Sequence, residues 1–364
     1  MSEQAPMRML IMAGGTGGHV IPALTLAREL ASRGVEIHWL GSPRGIENEL
    51  VPQAGIPLHR IAISGLRGNG AAGWLKLPWR LSRAVAQARA IIRQVQPSLV
   101  IGLGGFASGP GGLAAKLTGT PLVIHEQNAV AGMTNSTLAR FATRVYAAFP
   151  GAFPASRHAE VIGNPVRAEV AEVGHHVRSI EELQARRVRL LVMGGSLGAV
   201  ALNETVAPAL ATLPLEQRPE VRHQAGRNKL EATRAAYEKA SVEAFCSEFI
   251  DDVAQAYEWA DLVVCRSGAL TVAELAAAAK PSILVPFPHA VDDHQTVNAR
   301  DLSDHDAAVL LPQSEMSAER LAREIVDLLD PQRLHRMAAA AQGRARPGSM
   351  EQMANGCMEI AIEK

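Results

Sequence analysis

Met7-Arg8-Met9-Leu10-Ile11-Met12-Ala13-Gly14-Gly15-Thr16-Gly17-Gly18-His19 is an apolar run that ends in a glycine-rich turn and passes into a helix-patterned segment, His19–Arg33. A strand buried on both faces reads as an unbroken apolar run, and glycine lets a backbone turn tightly or approach a ligand closely. The same grammar returns in the second half, where the run Arg189–Gly195 ends in Gly194-Gly195-Ser196-Leu197-Gly198 and opens another helix. Two such openings in one chain imply two Rossmann-like α/β units, each a parallel sheet with helices on both faces.

The rest of the chain follows this pattern. Further strands are expected at Glu36–Gly41, His59–Ile63, Ser98–Gly104, Pro121–Gln127 and Arg144–Phe149. Helices are expected at Trp74–Gln96, Gly109–Leu117 and Gly132–Phe141. The Pro- and Gly-rich stretch Phe149–Pro165 reads as the crossing between domains. A second series of strands follows at Glu220–Ala225, Glu243–Ile250, Asp261–Cys265, Pro281–Phe287 and Ala307–Pro312. The expected domains are 1–163 and 164–342, with a helical tail, about 343–364, packing back on the first.

The totals fit this reading. At 364 residues the chain exceeds the roughly 250–300 residues at which one core stops growing, so two domains are expected. Lys+Arg and Asp+Glu are both 36, which gives no reason to expect nucleic acid as a partner. Cys246, Cys265 and Cys357 are too far apart for a metal motif and read as buried thiols in a reducing cytoplasm. The apolar run Met9–Ala13 is too short for a signal sequence, and no stretch reaches the roughly 18–20 apolar residues of a membrane span. Membrane contact is therefore expected to be peripheral.

Glycine-rich turns at strand ends carry the first chemistry. The turn Gly14–His19 puts free N–H groups and a helix N-terminus where an oxyanion binds. It is neither a Walker loop nor GxGxxG, and its plain alternative is a tight connection. Gly104 and Gly105 begin a second such turn. With Gly14 and Gly15 they form an expected phosphate-type site. His19 is the first choice for a base that takes a proton from a sugar hydroxyl, and Glu126 the second.

In the second half, Ser267-Gly268-Ala269-Leu270-Thr271 opens a helix after the strand Asp261–Cys265. Glu274 lies one to two turns inside, where a carboxylate suits a bidentate bond to ribose hydroxyls; its plain alternative is a solvated helical charge. His294 and Gln295 follow the next strand and suit sugar hydroxyls, or else the segment is a helix capped by Asp292 or Asp293. Asp304-His305-Asp306 reads as a solvated helix end, so no metal site and no cofactor are expected.

Between Ser64 and Arg83, Trp74, Leu75 and Trp79 alternate with Lys76 and Arg80. Tryptophan favours the headgroup level and basic residues favour an anionic surface, so this segment is expected to bind membrane. A core-packed helix start is the alternative.

Taken in order, GGTGGH, SGLRGNG, GGFASGPGG, HEQNAVAG, FPGAF, GNPVR, GGSLGA, EFIDD, VCRSGALTVAE and HQTVNA resemble the MurG family of peptidoglycan GlcNAc transferases, from about Met9 to Arg300. The resemblance implies the GT-B architecture, two Rossmann-like domains facing across a cleft. It implies inverting transfer of GlcNAc from UDP-GlcNAc, a substrate, to the MurNAc 4-hydroxyl of lipid I, giving lipid II. Thr16, Gly17 and Gly18 would then cradle either the acceptor pyrophosphate or the donor. Asn128 resembles the family's sugar-hydroxyl ligand, Arg167 its diphosphate arginine, Ser196 its phosphate-contacting serine and Ile250 the backbone that reads uracil. Ala269, Leu270, Thr271, Val272, Ala273 and Glu274 resemble the phosphate-turn and ribose segment, and Gln295 the GlcNAc-contacting glutamine. The family setting adds the anionic inner leaflet and other cell-wall and division proteins as partners, at the cytoplasmic face of the bacterial inner membrane. The rival readings are another GT-B enzyme acting on a membrane lipid, a UDP-GlcNAc epimerase, and a non-enzymatic scaffold of the division machinery.

Overall fold

The computed structural model describes residues 6–63, 77–195 and 198–363. Trp74, Leu75, Lys76 and Ser196, all expected at functional surfaces, lie outside them. The chain divides into two units, 1–165 with 348–364, and 166–347.

In the first unit the strands are β1 (Arg8–Met12), β2 (Glu36–Gly41), β3 (Leu58–Arg60), β4 (Leu99–Gly102), β5 (Leu122–Glu126), β6 (Arg144–Ala147) and β7 (Glu160–Val161). Among the described residues they form a sheet in the order β3-β2-β1-β4-β5-β6-β7, and every pairing is parallel. The order reverses between β1 and β4, and an open α/β sheet binds ligands at that switch point. The turns after β1 and β4 are the two glycine-rich ones.

Side-chain alternation in β1 explains how one sheet serves two cores. Met9 and Ile11 pack with the helices Gly17–Ser32 and Ser349–Ile362 on one face. Leu10 and Met12 pack on the other with the helices Leu77–Val95 and Ser108–Thr118. The tail helix lies close enough that a Cβ on Gly356 would collide with the Tyr146 hydroxyl. Arg144 fastens it further, donating to Glu359 at 3.0 Å.

The second unit repeats the plan with β8 (Arg189–Met193), β9 (Glu220–Gln224), β10 (Phe245–Ser247), β11 (Leu262–Cys265), β12 (Ser282–Leu284) and β13 (Ala308–Leu310). Their order is β10-β9-β8-β11-β12-β13, again parallel, with the switch between β8 and β11.

Two expectations need correction. Most of Phe149–Pro165 is not a crossing: Glu160 and Val161 pair with Tyr146 and Ala147 and extend the first sheet. The chain changes unit only between Pro165 and Val166. The expected strand Glu243–Ile250 shortens to Phe245–Ser247, because β10 has a neighbour on one side only and loses pairing beyond it.

No helix among the described residues is long and apolar enough to cross a membrane.

Candidate active site

In the first unit the two glycine-rich turns interlock. Gly104 and Gly105 hold φ of 105° and 88°, a region that L side chains rarely adopt. A Cβ on Gly104 would stand 2.7 Å from His19 Nδ1, and one on Gly105 would stand 2.5 Å from the Gly14 carbonyl oxygen. Ser108 Oγ ties the turns together, donating to the carbonyls of Gly104 (2.7 Å) and Met12 (3.2 Å). Only glycine permits this contact, and it brings the first turn of the helix Gly17–Ser32 against the turn after β4.

A residue that the sequence reading passed over organises the first turn. Glu47 is fully buried and accepts from the backbone N–H of Gly15 at 2.9 Å, from Ser42 Oγ at 2.8 Å and from Ser42 N–H at 3.3 Å. This corrects the expectation for Gly15. Its N–H is engaged by a protein carboxylate, which occupies the anion's role at that amide. Thr16, Gly17 and Gly18 begin the helix, and Thr16 makes no side-chain cap.

His19 Nδ1 lies 2.9 Å from Gln127 Oε1. Gln127 follows β5 and is buried, as is His125 two residues earlier. Burial lowers the pKa of His125, which keeps that ring neutral.

Glu126 is 2% exposed. One carboxylate oxygen accepts from the N–H (3.0 Å) and side-chain amide (3.1 Å) of Asn128, the other from Gly132 N–H (3.2 Å) and Asn135 Nδ2 (2.9 Å). Four donors match the roughly four acceptor sites of a carboxylate. Glu126 therefore shapes the loop after β5 and has no lone pair left for substrate, which tells against it as a base.

In the second unit, Gly194 and Gly195 follow β8, and Gln224 Nε2 donates to the Gly195 carbonyl at 3.0 Å. After β11 the buried Ser267 leads through Gly268, the N-cap, into the helix Ala269–Ala277. Arg266 braces this turn, donating to the carbonyls of Val285 (3.1 Å) and Pro286 (3.0 Å) and to Gln313 Oε1 (2.5 Å).

Glu274 is 7% exposed, which excludes the solvated alternative. Its Oε1 pairs with Arg167 Nη2 at 3.3 Å and its Oε2 accepts from the Tyr257 hydroxyl at 3.3 Å. Burial pushes its pKa up, against the charge of Arg167 and the two hydrogen bonds. Leu270, Thr271, Val272 and Ala273 lie on the same helix. Ile250 follows β10, beside Phe249, whose ring lies 5.9 Å from the Arg227 guanidinium.

Gln295 Oε1 accepts from the Phe287 N–H at 2.9 Å, so its amide NH2 is the end left to donate. Asp293 is the N-cap of the helix His294–Ser303, with a left-handed φ of 50°, and it accepts from Thr296 Oγ1 rather than from a helix N–H. Asp304 closes that helix, and among the described residues no group of three or more His, Cys, Asp or Glu side chains is placed to hold a metal ion.

On the helix Leu77–Val95, Ala84, Val85, Ala88, Ile92 and Val95 face inward. Trp79 is 66% exposed, and the Arg83 guanidinium lies 5.7 Å from its ring centroid. The core-packed alternative for Trp79 is thereby excluded.

Two Rossmann-like units with glycine-rich turns at their switch points give the GT-B architecture, and the matching family models make the chain a glycosyltransferase. The glycosyltransferase family 28 N-terminal domain matches residues 9–147, and the family 28 C-terminal domain matches residues 189–353. The chain belongs to this family and, within it, to the MurG family. It is 64% identical to a UDP-N-acetylglucosamine--N-acetylmuramyl-(pentapeptide) pyrophosphoryl-undecaprenol N-acetylglucosamine transferase of Chromohalobacter salexigens, over 99% of this chain and 98% of that one. A protein of the same name from Stutzerimonas stutzeri is 55% identical over 97% of this chain and 98% of its own. The crystal structure of Acinetobacter baumannii MurG superposes with a TM-score of 0.83 at 40% identity, covering 97% of this chain and all of that one.

Proposed function

We infer that this chain is a UDP-GlcNAc-dependent glycosyltransferase that moves GlcNAc onto lipid I and forms lipid II in peptidoglycan synthesis. The observation that carries this is the full-length match to curated relatives of that one name. It sets aside the epimerase and scaffold readings.

The residue roles form the finer part of the proposal. His19 takes the proton from the MurNAc 4-hydroxyl as the oxygen attacks the anomeric carbon. The bond to UDP breaks in the same displacement, and the anomeric configuration inverts. In the second unit, Arg167 and the helix N-terminus at Ser267–Leu270 stabilise the departing diphosphate. No protein metal site enters this scheme. Glu274 binds the ribose: Arg167 and Tyr257 engage two of its roughly four acceptor sites, which leaves two for ribose hydroxyls. Gln295 donates its amide to the sugar, and the Ile250 backbone reads the uracil. Asn128 contacts a sugar hydroxyl, and Gly14, Gly104 and Gly105 line the acceptor side.

The donor role of Glu274 has a direct test. Losing a hydrogen bond to a charged group costs roughly 1.5–3 kcal/mol, so Glu274→Ala raises the KM for UDP-GlcNAc by roughly 10- to 100-fold. The KM for acceptor stays near the wild-type value. Steady-state kinetics with each substrate varied in turn reads both, and a wild-type donor KM contradicts the assignment.

Peripheral association with the cytoplasmic face of the inner membrane completes the reading. It is supported by the exposed Trp79 beside Arg80 and Arg83, and by Leu117, 55% exposed on the neighbouring helix Ser108–Thr118. Each basic residue near an anionic surface contributes about 1 kcal/mol. Trp79→Ala and Arg80→Glu are therefore expected to reduce co-sedimentation with anionic vesicles at low salt. Wild-type sedimentation of both variants removes this surface from the proposal. Other cell-wall and division proteins remain proposed partners.

A further inference from the structure

Behind His19 runs a chain of buried polar groups whose direction is set at two backbone carbonyls. His125 Nε2 lies 2.8 Å from the Gly163 carbonyl oxygen, an acceptor only, so this nitrogen carries a hydrogen. The ring is fully buried and its pKa is lowered, so it is neutral and its Nδ1 is a bare acceptor. Gln127 Nε2 lies 3.2 Å from that Nδ1 and 3.1 Å from the His125 carbonyl oxygen. The carbonyl accepts only, so the amide NH2 points there and its two hydrogens are used on His125. The other end of the amide, Oε1, then faces His19 Nδ1 at 2.9 Å and can only accept. Its partner nitrogen must donate. In neutral His19 this places the hydrogen on Nδ1 and the free lone pair on Nε2.

We propose that Gln127 is a positioning residue that holds His19 in the Nδ1–H tautomer and so keeps Nε2 as the proton acceptor, an inference that rests on the reading of His19 as the base. A second hydrogen-bonding group that orients a histidine base is the general logic of nucleophile–base–orienter arrangements. Here a neutral amide does what a carboxylate often does. It fixes the tautomer without adding a charge beside the ring. The Gly104 turn limits the remaining freedom, because it packs so closely on the ring that a Cβ on that glycine would stand 2.7 Å from His19 Nδ1.

The test uses the full-length protein labelled with 15N-histidine, with the His19 resonances assigned from the spectrum that His19→Asn removes. In alkaline buffer the wild type is expected to show a protonated Nδ1 and an unprotonated Nε2. Gln127→Met keeps the length of the side chain and removes both hydrogen-bonding ends. It is expected to shift His19 toward the Nε2–H form that an unconstrained histidine prefers, and to lower kcat by about tenfold or more, within the roughly 10²–10⁴-fold that a general base supplies, with the KM for UDP-GlcNAc little changed. Gln127→Glu retains an oxygen opposite Nδ1, although it loses the donor to His125 and adds a charge beside the ring, and is expected to retain the tautomer. If Gln127→Met leaves the Nδ1–H tautomer in place, or changes it with kcat at the wild-type value, the proposal is overturned. If His19→Ala itself leaves kcat intact, the base reading fails, and the spectra still report whether Gln127 sets the tautomer.

Discussion

Replacing His19 by alanine is expected to lower kcat by about 10²–10⁴-fold while leaving the affinity for UDP near its wild-type value. The split between the two readouts follows from the fold. His19 lies at the first turn of the helix after β1, in the first unit, whereas the proposed nucleotide ligands Glu274, Arg167 and Ile250 belong to the second. Loss of the imidazole removes a proton acceptor and leaves the donor's ligands intact. Presteady-state turnover and UDP titration on the same variant read the two quantities. A loss of kcat below about tenfold places the base elsewhere, because general-base removal carries at least a hundredfold in typical cases. Glu126 is a poor substitute, since its four acceptor positions are filled by Asn128, Gly132 and Asn135.

The largest effect on stability is expected far from this chemistry. Asp261 stands just before β11, at the end of the strand away from the Ser267 turn, and its side chain is fully buried. It accepts from Arg178 at 2.6 Å, from Arg186 at 2.6 and 3.0 Å, and from the Arg189 N–H at 2.8 Å. The carboxylate thereby fastens the segment around the helix Ile180–Gln184 to the sheet. Burial alone would raise its pKa; the hydrogen bonds from the Arg186 side chain and the Arg189 N–H and the charges of Arg178 and Arg186 outweigh this and hold it below the usual value. Close by, burial pushes the pKa of Lys280 down to about 7. Asp261→Ala removes the anion from a cationic cluster. Breaking a buried pair costs about 3–5 kcal/mol, and the partial exposure of the arginines places this case near about 3. The melting temperature is then expected to fall by roughly 6–12 °C, whereas a fall below about 2 °C contradicts the role.

The pH dependence follows from the same carboxylate. Because its folded pKa is depressed, its contribution is complete above the unfolded value of about 3.9 and is lost as pH falls through the folded value. The melting temperature of Asp261→Ala is expected to change less than that of wild type on acidification through this window.

How much of this was legible in the sequence depended on whether the signal was local. Apolar runs such as Leu99–Gly102 and Leu122–Glu126 located the central strands, because strands covered on both faces have no polar alternation to disguise them. The two-residue strand β7 carries no periodicity, and its Pro- and Gly-rich surroundings read as a linker. The polar residues that organise the site were hidden for a different reason. Glu47 acts on Gly15, 32 positions away, and Gln127 acts on His19, 108 positions away, so neither has a local signature. Tyr257 and Arg266 likewise act on groups that only the fold brings near. For Gln127 a signal did exist. It lies between Glu126 and Asn128, both singled out, and just past the end of β5 at the edge of the glycine-rich turns.

The most direct test of the central claim is a coupled assay of the purified chain with UDP-GlcNAc and a lipid I analogue, measuring released UDP and the disaccharide product together. One UDP is expected for each product, with negligible UDP release without acceptor and poor turnover of UDP-glucose, because a site that pairs with the acetamido group rejects a sugar lacking it. Equal turnover of UDP-GlcNAc and UDP-glucose, or UDP release that is independent of the acceptor, contradicts the central claim.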